Sequence, residues 1–123
     1  MQRINESVTT DKSVADIFSF MKEVTKLPEW SLLVESVNPL PDNFYSANTK
    51  MGPLKFKWTV DEASKKCTLT ANVMGTDYSA YYMVEAKDGK TVISEDIPQN
   101  PMVTPDQLKI AIKSELEKLA SVA

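Results

Sequence analysis

Histidine is absent from the chain. With it go the Ser-His-Asp and Cys-His arrangements of nucleophilic catalysis, the commonest zinc ligand and the usual general base at neutral pH. Cysteine occurs once, as Cys67, which excludes an internal disulfide and a cysteine-built zinc site. Only three glycines are present, and none belongs to a loop of the kind that cradles phosphate. No apolar run reaches the roughly eighteen residues of a membrane span. The opening MQRINESVTT lacks the apolar core of a secretory leader, so a cytoplasmic protein is expected. Excess basic charge is missing too: a net charge of −3 and a pI near 5.0 argue against a general binder of nucleic acid or anionic membrane. Lys50, Lys55, Lys57, Lys65 and Lys66 gather on or beside one strand pair and read as a solvated outer face. Neither metal nor cofactor is expected.

What is present reads as one domain over residues 1–123, since this length buries one core but hardly a second. In RINESVTT the residues Ile4, Glu6 and Val8 share one face of a strand, with a carboxylate on an otherwise apolar side. From Asp11 the period changes. Val14, Ile17, Phe18, Met21 and Val24 recur at helical spacing, with Thr10 or Asp11 as the expected N-cap. Pro28 disfavours helical geometry at Leu27 and can open a second short helical turn that carries Trp30 and Leu33.

Turn signals then follow at short intervals, and they delimit strands near residues 33–38, 44–50, 53–61, 67–74, 77–86 and 91–97. Asp88-Gly89 suits a two-residue hairpin turn with positive φ at both positions. Connections this short imply an antiparallel meander, because a parallel crossover needs a dozen residues or more. At the end, Thr104, Pro105 and Gln107 form a capping box that opens a helix with Leu108, Ala111, Ile112, Leu116, Leu119 and Val122 on one face. At about 100° per residue Glu115 falls inside that stripe and Ile110 opposite it.

The strand running into TTDKSVADIF, the LPEW followed by VESV, the MGPLKFKWTVD strand and the amphipathic last helix together resemble the START-related (SRPBCC) superfamily of pollen allergens, polyketide cyclases and dehydrases, and lipid-transfer proteins. The resemblance spans nearly the whole chain. It implies an α+β helix-grip fold: a curved antiparallel sheet of about seven strands around a long C-terminal helix, with two shorter helices after the first strand. It also implies a cavity for apolar or amphipathic small molecules between sheet and helix. Leu54, Phe56, Trp58 and Val60 then face the helix, together with Cys67, Leu69, Ala71 and Val73 and with Tyr78, Ala80, Tyr82 and Val84.

Each candidate residue has two readings. Trp30, Trp58 and Phe56 serve either the core or a ligand, Cys67 is a small buried hydrophobe, and Tyr78 and Tyr82 either pack or present hydroxyls. An unpaired carboxylate is strongly unfavourable in an apolar interior, so Glu6 and Glu115 sit at a wet rim or serve a site. At least one of them is expected to hold its proton more tightly than usual. The expected ligand-binding set is Glu6, Phe56, Trp58, Tyr78, Tyr82 and Glu115. Three functions are compatible with it: binding, with possible transport, of a hydrophobic or lipid-like molecule; a cyclase or dehydratase using a cavity carboxylate; or a cochaperone-like interaction domain using the sheet face or the segment IPQNPMVTPD. Binding without catalysis is the preferred reading.

Overall fold

The computed structural model describes residues 2–50, 52–73, 75–99 and 103–123, apart from the side chain of Val73. The expectation for Val73 and the middle of IPQNPMVTPD therefore lie outside the described residues. Strand β1 (Arg3–Thr10) is followed by helix α1 (Val14–Met21), a 3-10 turn (Val24–Lys26) and the short helix α2 (Leu27–Trp30). Strands β2 (Val34–Pro39), β3 (Phe44–Thr49), β4 (Gly52–Asp61), β5 (Lys66–Val73), β6 (Thr76–Lys87) and β7 (Lys90–Pro98) come next, and helix α3 (Pro105–Val122) ends the chain.

Among the described residues the seven strands form one sheet in the order β1-β7-β6-β5-β4-β3-β2, with every neighbouring pair antiparallel. The meander is the expected one, and β1 adds itself beside β7. Asp88 (φ 52°) and Gly89 (φ 77°) make the tight turn between Lys87 and Lys90, as this dipeptide should. The capping box also forms: the Thr104 hydroxyl accepts from the Gln107 N–H, and the Gln107 side chain accepts from the Thr104 N–H.

Local differences from the sequence reading have simple causes. The N-cap of α1 is Ser13, whose hydroxyl accepts from the Asp16 N–H, because Thr10 still belongs to β1 and uses its own hydroxyl to turn the chain at Lys12. The helix stops at Met21, and Val24 keeps its burial from the 3-10 turn. Leu27 is helical (φ −48°, ψ −43°) despite the following proline, and it is buried. Leu33 lies beyond α2 and is exposed, since extended backbone at Ser31 ends the helix. On α3, Ile112, Leu116 and Leu119 are buried and Ile110 is exposed, but Ala111 and Val122 are exposed as well. Periodicity gives the direction of a side chain, not the edge of the core.

One core joins these elements. Ile17, Met21, Leu27, Trp30, Phe56, Cys67, Ile93, Leu116 and Leu119 are all fully buried in it. α1 packs on β6, α2 on α3 and β2, and α3 lies mainly on β1. No helix is long and apolar enough to cross a membrane among the described residues.

Candidate functional site

Strand alternation and register together write three rows of side chains across the inner face of the sheet. Tyr45, Phe56, Ala71 and Tyr78 form the first, in that order from β3 to β6. Trp58, Leu69 and Ala80 form the second. The third runs Val60, Cys67, Tyr82, Glu95, Glu6, from β4 to the edge strand β1. Val60 is exposed because it stands near the end of β4, where the row leaves the core.

Glu95 is the unusual member. It is only 3% exposed, opposite Tyr82 on one side and Glu6 on the other. Burial raises its pKa well above the ordinary carboxyl value; the neighbouring charge of Glu115 and a hydrogen bond to that residue raise it further. Glu95 therefore keeps its proton and donates it to the Glu115 carboxylate. Glu115, 8% exposed on α3, accepts a second hydrogen bond at Oε2 from the Leu32 N–H (2.9 Å). The pair thus ties β7, α3 and the loop after α2 together, and Glu95 is the carboxyl that holds its proton, since burial and a like-charged neighbour both disfavour its ionisation.

The walls around the pair are aromatic. Trp30 meets Tyr82 edge-on at 5.4 Å between ring centroids, and Trp58 lies tilted against the same ring at 5.8 Å. The Trp58 indole N–H donates to the Lys22 carbonyl (2.9 Å) at the end of α1. The Trp30 indole N–H and Glu95 Oε1 are both buried and have no hydrogen-bond partner among the described residues. Native interiors rarely leave such groups unpaired, and each is costly when they do. Burial pushes the Tyr78 hydroxyl up to about 12 and the Tyr82 hydroxyl well above its usual value, and in both cases the neighbouring carboxyls of Glu95 and Glu115 add to the effect. Both tyrosines stay neutral and can donate a hydrogen bond.

Of the six residues expected from sequence, Tyr82 and Glu115 are buried beside Glu95, and Tyr78 is partly exposed within reach of the same two carboxyls. Trp58 is partly exposed and joins through Tyr82, whereas Phe56 is fully buried and stacks on Tyr45 at 5.7 Å. Glu6 stands at the rim, its side chain 21% exposed and 3.9 Å from the Lys113 ammonium. Glu95, which the sequence reading passed over, is the carboxyl whose proton affinity burial raises. Its signal was the alternation of Thr91, Ile93, Glu95 and Ile97, all four buried on one face of β7.

Two surface concavities are present elsewhere. One of about 350 Å³ lies by Asp16, Phe20, Lys26 and Ala123, and one of about 460 Å³ lies on the outer face by Ser7, Glu85, Lys90 and Ser94. Neither is lined by any of the six residues or by Glu95.

A sheet of this order, gripping a last helix behind two short ones, invites comparison with solved structures. XoxI from Bacillus cereus superposes with a TM-score of 0.76 at 15% identity, over 98% of this chain and 94% of that one. A START superfamily protein from Mycobacterium smegmatis matches with a TM-score of 0.66 at 13% identity, over 97% and 92% of the two chains. This chain has the START-like helix-grip fold. The Zhui aromatase/cyclase from Streptomyces sp. R1128 carries the same START-like architecture, with a TM-score of 0.66 at 12% identity over 98% and 92%. Neither a family model nor a curated protein matches the sequence. At these identities the START-like likeness is one of fold, and function has to be argued from the site.

Proposed function

We propose that residues 1–123 form one START-like domain of a cytoplasmic protein, which binds a hydrophobic or lipid-like small molecule between the sheet and α3. The observation that carries the reading is the buried Glu95–Glu115 pair behind the aromatic rings of Trp30, Trp58 and Tyr82, set in an otherwise apolar interior. Phe56, Trp58, Tyr78 and Tyr82 supply the apolar wall, Glu115 and Glu95 the polar end, and Glu6 the rim. The partly exposed rings of Tyr45 and Tyr78 are the proposed way in. Native mass spectrometry of protein taken directly from cells tests this, read with amide chemical shifts at Ala71, Ala80 and Tyr82 during titration with apolar probes. A retained small molecule, or shifts confined to the inner face, is expected. Protein of bare mass whose inner-face signals no probe moves would refute the reading.

A second reading has its own observation. A carboxyl that keeps its proton next to a charged one is the equipment of a general acid and base, as a cyclase or dehydratase would need. In that case Glu95→Gln abolishes turnover of a polyketide-like substrate and leaves its binding intact. Equal turnover by parent and variant would eliminate proton transfer at this pair.

A further inference from the structure

The outer face of the sheet holds its cations on rings. Phe44, Lys57, Thr70 and Ser79 form one row from β3 to β6, and Thr59, Thr68 and Tyr81 form the next. The Lys55 and Lys57 ammoniums lie 4.6 and 5.4 Å from the centroid of Phe44, and the Lys66 ammonium lies 4.4 Å from that of Tyr81. Asp61, Asp77 and Asp96, on the same face, are already engaged: Asp96 accepts from Arg3 and Asn5, Asp77 from Asn72, and Asp61 from the Ala63 and Ser64 N–H groups. Glu85 lies beyond the last pair between β5 and β6. The ion pairs among the described residues are Arg3–Asp96, Lys22–Glu62, Lys90–Asp11 and Lys113–Glu6. Lys55, Lys57 and Lys66 belong to none of them, although Lys66 stands opposite Asp61 in register. Three positive charges thus line β4 and β5 of a chain that is acidic overall.

We propose that this outer face docks an extended acidic peptide segment of another protein, whose carboxylates meet Lys55, Lys57 and Lys66. The proposal is independent of what enters between the sheet and α3. Lys55 and Lys57 are two residues apart on one strand face, about 7 Å, and the level of Lys66 lies about 14 Å further along β4. An extended peptide repeats its side chains at the same period, so acids at alternate positions fall on these lysines in turn. The rings hold the ammoniums in place before a partner arrives, which leaves less side-chain freedom to be lost on binding. Two other anionic partners fit less well. A nucleic-acid strand draws on ring faces to stack its bases, and here those faces carry ammoniums; its phosphates would also run past three lysines onto an acidic molecule. A lipid surface calls for large apolar side chains beside the charges, and the exposed ones, Leu32, Leu33, Leu40, Val60, Ile110 and Val122, lie off this face.

The test titrates the full chain with a peptide of alternating glutamate and serine, about ten residues long, while backbone amides are followed by NMR. The same peptide with glutamine for glutamate and an oligouridylate of equal length serve as comparisons. The glutamate peptide is expected to shift Phe44, Lys57, Thr70 and Tyr81, to bind more weakly as salt is raised, and to bind more tightly than either comparison. Lys55→Gln combined with Lys57→Gln should weaken it at least about tenfold, whereas Lys109→Gln combined with Lys118→Gln, exposed on α3, should leave it unchanged. Phe44→Leu keeps every charge and should weaken it by a smaller factor, because the ring no longer holds the two ammoniums. Absence of binding, shifts outside the outer face, equal binding of the glutamine peptide, or affinity that survives loss of Lys55 and Lys57 overturns the proposal. Tighter binding of the oligouridylate on the same face overturns the peptide assignment in favour of single-stranded RNA.

Discussion

Glu95 on β7 lies buried against Glu115 on α3, so the sheet and the helix it grips meet at a carboxyl pair in which Glu95 holds its proton. The folded chain holds that proton more tightly than an unfolded one, whose glutamates titrate near the ordinary value of 4.5. The contribution is therefore complete below that value and is lost as pH rises through the folded-state pKa.

The first prediction follows directly. Between about pH 5 and pH 9, the stability of the parent should fall relative to Glu95→Gln, with a slope of at most about 1.4 kcal/mol per pH unit below the folded-state pKa. Denaturant unfolding of both proteins across this range measures it. Parallel pH profiles would mean that Glu95 titrates alike in the folded and unfolded chains.

A second prediction concerns the grip itself. Leu116 is fully buried on α3, and Leu116→Ala should cost about 2 to 5 kcal/mol, as cavity-forming changes in cores do. Ile110→Ala, on the exposed side of the same helix, should stay within about 0.5 kcal/mol of the parent. Similar melting of both variants would show that α3 is not held as described.

The helix start gives a third. Thr104→Ala removes the acceptor for the Gln107 N–H and should destabilise by about 1 kcal/mol. Thr104→Asp, which can accept the same bond, should recover most of the loss by the same unfolding measurement.

Cys67 supplies a fourth. Burial, with a smaller effect of the Glu62 charge, pushes its thiol up to about 12, and no thiolate is available at neutral pH. Native protein should resist iodoacetamide, and labelling followed by mass spectrometry should rise only with denaturant, in step with the unfolding curve. Rapid labelling of the native chain would contradict the burial.

The fold was legible where local chemistry decides it. Thr104-Pro105-Gln107 starts a helix by capping its own N–H groups, Asp88-Gly89 turns because both residues tolerate positive φ, and alternation from Leu54 to Trp58 needs only one buried face. Glu115 could be found for the same reason, since the angle around a helix is fixed by its number in the chain. Glu95 was harder. Ser94, Glu95 and Asp96 read as a polar run, and only the burial of Ile93 and Ile97 on either side shows which of the three points inward. The pairing of Glu95 with Glu115 had no local signal at all, because it is made when β7 meets α3. Ser13 took the cap from Thr10 for a comparable reason: β1 runs on to Thr10 in its pairing with β7.

The place of β1 in the sheet also bears on how the chain folds. Residue 4 pairs with residue 97, and the Lys12 ammonium bonds the carbonyls of Ser121 and Ala123 at the far end of α3. The strand synthesised first must wait for almost everything after it, so the nascent chain can build the β2 to β6 meander on the ribosome but cannot close. Non-local closure of this kind is slow, and until it occurs the unpaired edge of β7 is open to other chains. Production at lower temperature, with fewer unfinished chains present at once, should therefore raise the soluble yield more than any single stabilising substitution in the finished core.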